Sequence, residues 1–197
     1  MILGAVLLCL AGWGVTFGLA WGNFWLKIGL TVSLITAYAC YWERPRLTLS
    51  ITSAGLGLLS AVVLYGVFYL GYVLAPFVVP EASAQVETIY GLGRGSNPVL
   101  VFFLLMLVTG PGEEIFWRGF LQNNLMKKWG PFKGFAAATA LYGGVHVFSG
   151  NIMLIGAAFV AGSFWGLIYL WRRDLTLLIV SHSFWSAFIF AVLPIKS

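Results

Sequence analysis

The 197-residue chain contains very few charged residues. Only 9% of its residues are Asp, Glu, Lys or Arg, whereas a soluble domain usually has about 25%. No soluble core could bury the 60% of residues that are hydrophobic, so lipid must cover much of the surface. The composition therefore excludes a soluble globular domain and predicts a polytopic membrane protein.

Cysteine, aspartate and several protease motifs are also scarce or missing. Cys9 and Cys40 lie in apolar runs and are interpreted as small hydrophobic side chains, not as a disulfide framework. Asp174 is the only aspartate and no G-x-G-D is present, which excludes an intramembrane aspartyl protease. The chain has no H-E-x-x-H of the zincin type. It also lacks the G-x-S-G of a rhomboid-like serine protease.

Hydrophobic runs dominate the rest of the chain. Each run is near the ~20 residues that a helix needs to cross a bilayer. The long polar connection 81–97 is rich in glycine, which predicts a mobile surface loop. We expect an all-α transmembrane helix bundle in a single domain over 1–197, with N-terminal helices and a loop over 1–97 and catalytic core helices over 98–193. The seven predicted spans are 2–20, 24–42, 50–79, 98–126, 132–148, 152–171 and 175–193.

The net charge of +5 is explained by membrane orientation and does not indicate a nucleic-acid partner. With alternate crossings, one side of the bilayer receives Lys27, Arg94 and Lys196. The other side receives seven basic residues. Because basic residues are enriched in cytoplasmic loops, this second side should be cytoplasmic, and the N-terminus should lie on it. The seven are Arg44, Arg46, Lys127, Lys128, Lys133, Arg172 and Arg173.

Five Glu, Arg and His side chains lie inside the predicted spans, where such groups are costly and usually face a cavity or a partner. Counted at ~1.5 Å per residue from the cytoplasmic helix ends, Glu113 and His146 each lie ~20 Å deep, and His182 ~12 Å. Glu114 and Arg118 complete the set. The similar depths predict a polar site inside the bundle, although a purely structural ion-pair network would also accommodate these residues.

The spacing assigns different roles to the two glutamates. Glu114 precedes Arg118 by four residues, the favoured order for an ion pair along one helix. Glu113 is turned about 100° away, so it must find its partners, His146 or His182, on other helices. The preceding "TGPG" (109–112) contains a proline and two glycines, which loosen the helix beside the site.

Two chemical schemes fit a carboxylate with two imidazoles. In the first, Glu113 and His146 polarise a water molecule that attacks a peptide carbonyl, and His182 donates a hydrogen bond to the oxyanion. In the second, Glu113, His146 and His182 bind a zinc ion that activates the water.

Three motifs in order resemble the CPBP family of glutamic intramembrane endopeptidases, which includes the CAAX prenyl proteases and bacterial Abi-type proteins. E-E-x-x-x-R is matched at 113–118. F-x-x-x-H appears as "YGGVH" with Tyr142 in place of phenylalanine, and H-x-x-x-N as "HSFWS" with Ser186 in place of asparagine. The resemblance covers about 99–190, half of the chain.

The resemblance implies a protease without metal or other cofactor that cuts a membrane-associated or C-terminally anchored protein or peptide. Glu113 and His146 would activate water, and His182 with residue 186 would support the oxyanion. Glu114, Arg118 and Tyr142 would support them. The small size fits a bacterial member in the inner (plasma) membrane. Two alternatives stay open: a non-catalytic scaffold or immunity protein, which Ser186 favours, and a metal-dependent membrane hydrolase. The sequence leaves the oligomeric state open.

Overall fold

The computed structural model describes residues 1–195, and the described chain is 84% helical and contains no strands. Lys196, which the charge distribution placed outside the cytoplasm, lies beyond the described residues. The all-α prediction is confirmed. In chain order the helices are α1 (Ile2–Gly18), α2 (Phe24–Trp42), α3 (Ile51–Phe77), α4 (Ala82–Gly91), α5 (Pro98–Trp129), α6 (Pro131–Gly144), α7 (Ile152–Arg172) and α8 (Leu175–Val192).

Five helices in the described range are long and apolar enough to cross a bilayer: α2, α3, α5, α7 and α8. The expected count of seven spans is not confirmed. Helix α1 has 17 residues and α6 has 14, which is shorter than the ~20 residues of a full crossing. The predicted fifth span, 132–148, ends instead in a 3-10 turn, Val145–Ser149, that carries His146.

The segment 81–97 is not the loop that its glycines predicted, because it contains α4. The apolar residues Ala82, Val86 and Tyr90 recur every four positions, the spacing of one helix face. Asn151 ties α4 to the start of α7, since its Nδ2 donates to the Gln85 carbonyl oxygen at 2.9 Å. The glycines that follow α4 led to the prediction of a loop, although the apolar residues before them have the spacing of a helix.

Helix α5 does not break at the predicted "TGPG" but changes its winding there. Two π-helical segments, Leu105–Thr109 and Ile115–Gln122, enclose the α-helical turn Gly110–Glu114. The Gly110 N–H donates to the Leu105 carbonyl, five residues back. Pro111 has no N–H to offer. Such wide turns are frequent at functional sites, and here they enclose the two glutamates.

Two glycines let α5 lie deep between its neighbours. A Cβ added to Gly110 would lie 2.6 Å from the Cα of Ser183 on α8. One added to Gly112 would lie 2.6 Å from the Thr36 hydroxyl on α2. The close contact of α5 with α2 and α8 places the motif-bearing turn at the centre of the bundle.

Candidate functional site

A cavity of about 130 Å³ is lined by residues of α1, α2, α4, α5, α6, α7 and α8. Five of the seven predicted site residues line it, although they come from three separate segments of the chain. Glu114 and Arg118, the other two, are not among the lining residues. The five are Glu113, Tyr142, His146, His182 and Ser186.

Glu114 and Arg118 form the ion pair that their spacing predicted. Nη1 of Arg118 donates to Oε1 of Glu114 at 2.8 Å, and the two side chains are only 2% and 0% exposed. Nη2 of Arg118 donates to the Gly162 carbonyl on α7 at 3.2 Å. The guanidinium also lies over the Tyr142 ring, 4.7 Å from its centroid. Both charges are therefore compensated inside the apolar bundle.

Glu114 has a second partner that the sequence did not indicate, His182. The same Oε1 lies 2.7 Å from Nδ1 of His182. A carboxylate oxygen only accepts hydrogen bonds, so Nδ1 carries the hydrogen. The expected contact of His182 with Glu113 is not its hydrogen bond in the structure, since Nδ1 is taken by Glu114. Nε2 is then the nitrogen that His182 can offer to the cavity.

An indole holds the ring plane of His182. Trp165 on α7 stacks on the imidazole with 3.8 Å between ring centroids and 18° between planes. Trp165 is itself fixed, because its Nε1 donates to the Ser181 hydroxyl at 3.0 Å. The Glu114 contact and the Trp165 stack together set both the rotation and the tilt of the imidazole.

Glu113 is the carboxylate that faces the cavity. Its side chain is nearly buried, and Oε2 has no hydrogen-bond partner among residues 1–195. The Tyr142 hydroxyl is the nearest side-chain donor to the carboxyl group. A buried carboxylate oxygen without a donor is unusual in a native interior. The cavity that the Glu113 side chain lines has room for such a donor, a water molecule or part of a substrate.

His146 meets the cavity from the 3-10 turn after α6, and both of its ring nitrogens have partners. Nδ1 lies 2.8 Å from the carbonyl oxygen of Tyr142. Nε2 accepts a hydrogen bond from the indole of Trp13 at 3.4 Å. The turn is closed by Ser149, whose hydroxyl donates to the His146 carbonyl at 2.7 Å.

Ser186 lies beside His182 but directs its hydroxyl to the backbone. Oγ donates to the carbonyl of His182 at 2.8 Å, with the carbonyl of Ser183 at 3.3 Å as the alternative acceptor. A serine in a helix often bonds back to the preceding turn in this way. The expected support for an oxyanion is therefore not visible in the orientation of this hydroxyl.

The sequence analysis did not identify Trp13 and Trp165, which contact the two histidines. The available signal was their position, since both lie in the middle of apolar helices and not near the ends. An indole N–H in lipid must find an acceptor inside the protein. A mid-span tryptophan is thus a candidate neighbour of a polar site.

A larger apolar chamber of about 480 Å³ adjoins the site cavity. Helices α3, α4, α7 and α8 form its walls, and a set of apolar residues is common to both spaces. The chamber thus begins at the wall of the polar site. The shared residues are Ile89, Leu154, Ala157, Trp185 and Phe190.

The zinc alternative requires Glu113, His146 and His182 to converge on one ion. In the described part of the chain, no three His, Cys, Asp or Glu side chains are grouped closely enough to hold a metal. Nδ1 of His182 and both nitrogens of His146 already have protein partners.

Residues 95–188 match the family described as Rce1-like, type II CAAX prenyl endopeptidase Rce1-like. The matched segment contains all three motifs. The resemblance seen in the motifs is thereby confirmed. Neither a curated protein nor a solved structure matches the chain.

Proposed function

We propose that residues 95–188, which belong to the Rce1-like family of type II CAAX prenyl endopeptidases, form the active centre of a glutamic-type intramembrane endopeptidase. The family supports a membrane-embedded protease, and five apolar helices make the chain an integral membrane protein. One observation carries the glutamic assignment. Glu113, unlike Glu114, lines the cavity that His146 and His182 also line, and its buried Oε2 has no hydrogen-bond partner in the described residues.

In the proposed reaction, Glu113 and His146 activate a water molecule. The Glu113 carboxylate accepts one hydrogen of the water, and Nε2 of His146 accepts the other. Transfer of a proton to Glu113 leaves hydroxide character on the oxygen that attacks the peptide carbonyl. Protonated Glu113 would then return the proton to the departing amine as the C–N bond breaks. Tyr142 orients Glu113 through its hydroxyl and His146 through its carbonyl oxygen, so one residue aligns both groups.

His182 is proposed to stabilise the oxyanion, and the structure sets a condition for this role. Because Nδ1–H is directed at Glu114, a neutral His182 would have only a lone pair at Nε2. His182 must therefore be an imidazolium to donate from Nε2. The Glu114 carboxylate, 2.7 Å from Nδ1, would be the counter-ion of that imidazolium.

The site would then be electrically neutral in its active form. Glu113 and Glu114 are negative, and Arg118 and protonated His182 are positive. Neutrality matters because uncompensated charge in a low-dielectric interior costs several kcal/mol, of the order of 3–5 for a broken buried pair. Arg118 and the His182 imidazolium would then both be counter-ions of Glu114.

The substrate proposed for this site is a membrane-associated or C-terminally anchored protein or peptide. The apolar chamber beside the cavity supports this class, because it would accept the anchor while the peptide bond lies at Glu113. The chain would lie in a bacterial inner membrane with a cytoplasmic N-terminus, as the basic residues favour. The catalytic core would occupy 98–193.

The test is cleavage by the full-length protein in proteoliposomes. Two synthetic peptides of one sequence serve as probes, one with a C-terminal prenyl anchor and one with a transmembrane helix. Mass spectrometry should find one new peptide terminus for at least one probe, with a yield unchanged after dialysis against a chelator. Loss of cleavage with the chelator, restored by zinc, would instead support the metal-dependent hydrolase.

The second candidate function is a scaffold or immunity protein that keeps the site without cutting peptides. The orientation of Ser186, whose hydroxyl is bonded to its own helix, favours this alternative. It predicts no new terminus for either probe. It also predicts an unchanged cellular phenotype when Glu113, His146 and His182 are replaced.

A further inference from the structure

Trp13 lies outside the family segment 95–188, and the proposed reaction gives it no role. Its side chain is 1% exposed and forms part of the cavity wall. Its Nε1 lies 3.4 Å from Nε2 of His146, a contact across 133 positions of sequence. Helix α1 therefore reaches the nitrogen that the proposed reaction uses as a proton acceptor.

The chemistry of the two groups fixes the direction of this hydrogen bond. An indole Nε1–H can only donate, so Nε2 of His146 must hold a lone pair. On the other side of the ring, the Tyr142 carbonyl can only accept, so Nδ1 must carry the hydrogen. Two independent contacts thus select the same tautomer, the one with its basic nitrogen on the cavity side.

Trp13 is held in this position by its neighbours. Its ring meets Trp117 edge-on, with 5.8 Å between centroids and 80° between planes. One turn further along α1, the Thr16 hydroxyl lies 3.1 Å from that of Thr31 and ties α1 to α2. These contacts hold the Trp13 indole in a defined position beside His146.

We infer that Trp13 is a positioning residue for His146: it selects the Nδ1–H tautomer and occupies Nε2 until a water molecule replaces it. The second part rests on the proposed function. Nε2 has a single lone pair, so water can bond to it only after the indole N–H withdraws. The donor–acceptor distance of 3.4 Å is longer than the usual range of about 2.7–3.2 Å for an N–H donor. The hydrogen bond is therefore weak enough for water to displace it.

The tautomer can be measured directly because the chain has only two histidines. We suggest nitrogen-15 NMR of histidine-labelled protein in micelles, with His146→Gln to assign the signals. Neutral His146 should be the Nδ1–H tautomer, and Trp13→Phe should shift its Nε2 resonance without moving those of His182. An Nε2–H tautomer in the wild type overturns the inference, whether or not the variant folds.

Kinetics test the second part. Trp13→Phe keeps an aromatic ring but removes the competing N–H, so kcat should rise roughly two- to tenfold at unchanged KM, the factor that one net hydrogen bond represents. The matched control is Trp25→Phe. This substitution removes an indole that lines the same cavity. Nε1 of Trp25 has no hydrogen-bond partner in the described residues.

The control should not reproduce the gain. A fall in kcat for Trp13→Phe, or an equal rise for Trp25→Phe, overturns the idea that the indole competes with water. If the wild type cleaves no peptide but has the Nδ1–H tautomer and the expected shift, the proposed function fails and the positioning of His146 by Trp13 stands.

Discussion

Replacing Glu114 by glutamine tests whether the buried ion pair stabilises the bundle. The amide oxygen can still accept hydrogen bonds, but it leaves the charge of Arg118, a side chain only 2% exposed, without a counter-ion. Removing one member of a buried pair typically costs about 3–5 kcal/mol. We expect that loss in the free energy of unfolding, measured by SDS titration in mixed micelles with tryptophan fluorescence.

The chain provides a matched control in the pair of Lys127 and Glu43. Their side chains are 56% and 32% exposed at an N–O distance of 3.1 Å. Lys127→Gln should therefore cost only about 0–1 kcal/mol, as is usual for surface pairs. If Glu114→Gln is no more destabilising than Lys127→Gln, the ion pair does not stabilise the fold as described.

A double variant separates the structural role of Glu114 from its chemical role. Glu114→Gln combined with Arg118→Met removes both charges, so at least half of the lost stability should return. Activity should not return, because His182 would still lack the carboxylate that its Nδ1 contacts. Recovery of both would mean that Glu114 serves Arg118 alone.

Two further substitutions test the packing and the role of Ser186. Gly110→Ala would place a Cβ 2.6 Å from the Ser183 Cα and should cost about 1–3 kcal/mol in SDS titration, whereas Gly66→Ala on α3, with no atom within 4 Å, should be neutral or stabilising by about 0.5–1 kcal/mol. Equal effects would contradict the close contact of α5 and α8. Ser186→Ala removes a hydroxyl that bonds only to backbone carbonyls of its own helix, so kcat should change by no more than about twofold. A loss of about a hundredfold in peptide cleavage would show that the hydroxyl turns to the oxyanion during the reaction.

The parts of the site that the sequence could predict are those set by one helix. Glu114 and Arg118 pair because four residues make about one turn, and the same rule turns Glu113 away from both. The partner of His182 depends instead on how α8 lies against α5. That arrangement is set by close contacts such as Gly110 against Ser183, which no spacing along the chain reveals.

The same distinction, between what one helix determines and what packing determines, explains where the predicted fold was wrong. Hydropathy located the helices, but it did not show that α1 and α6 are too short to count as full crossings. Glycines at 91–95 suggested a loop and concealed the helical period of α4 just before them. The position of Trp13 within an apolar helix made it a candidate neighbour of a polar site, but its partner could not be predicted. Its contact with His146 exists only in the packing of α1 on the turn after α6.

The proposed split between the two glutamates is tested most directly by the single-turnover cleavage rate of Glu113→Gln in proteoliposomes. Glu113 forms no direct ion pair in the described residues, so the variant should stay folded and lose less stability in SDS titration than Glu114→Gln. Its cleavage rate should fall by about 10²–10⁴-fold, the usual contribution of a general base. A folded Glu113→Gln protein that cleaves the anchored peptide at the wild-type rate would contradict the assignment of Glu113 as the base.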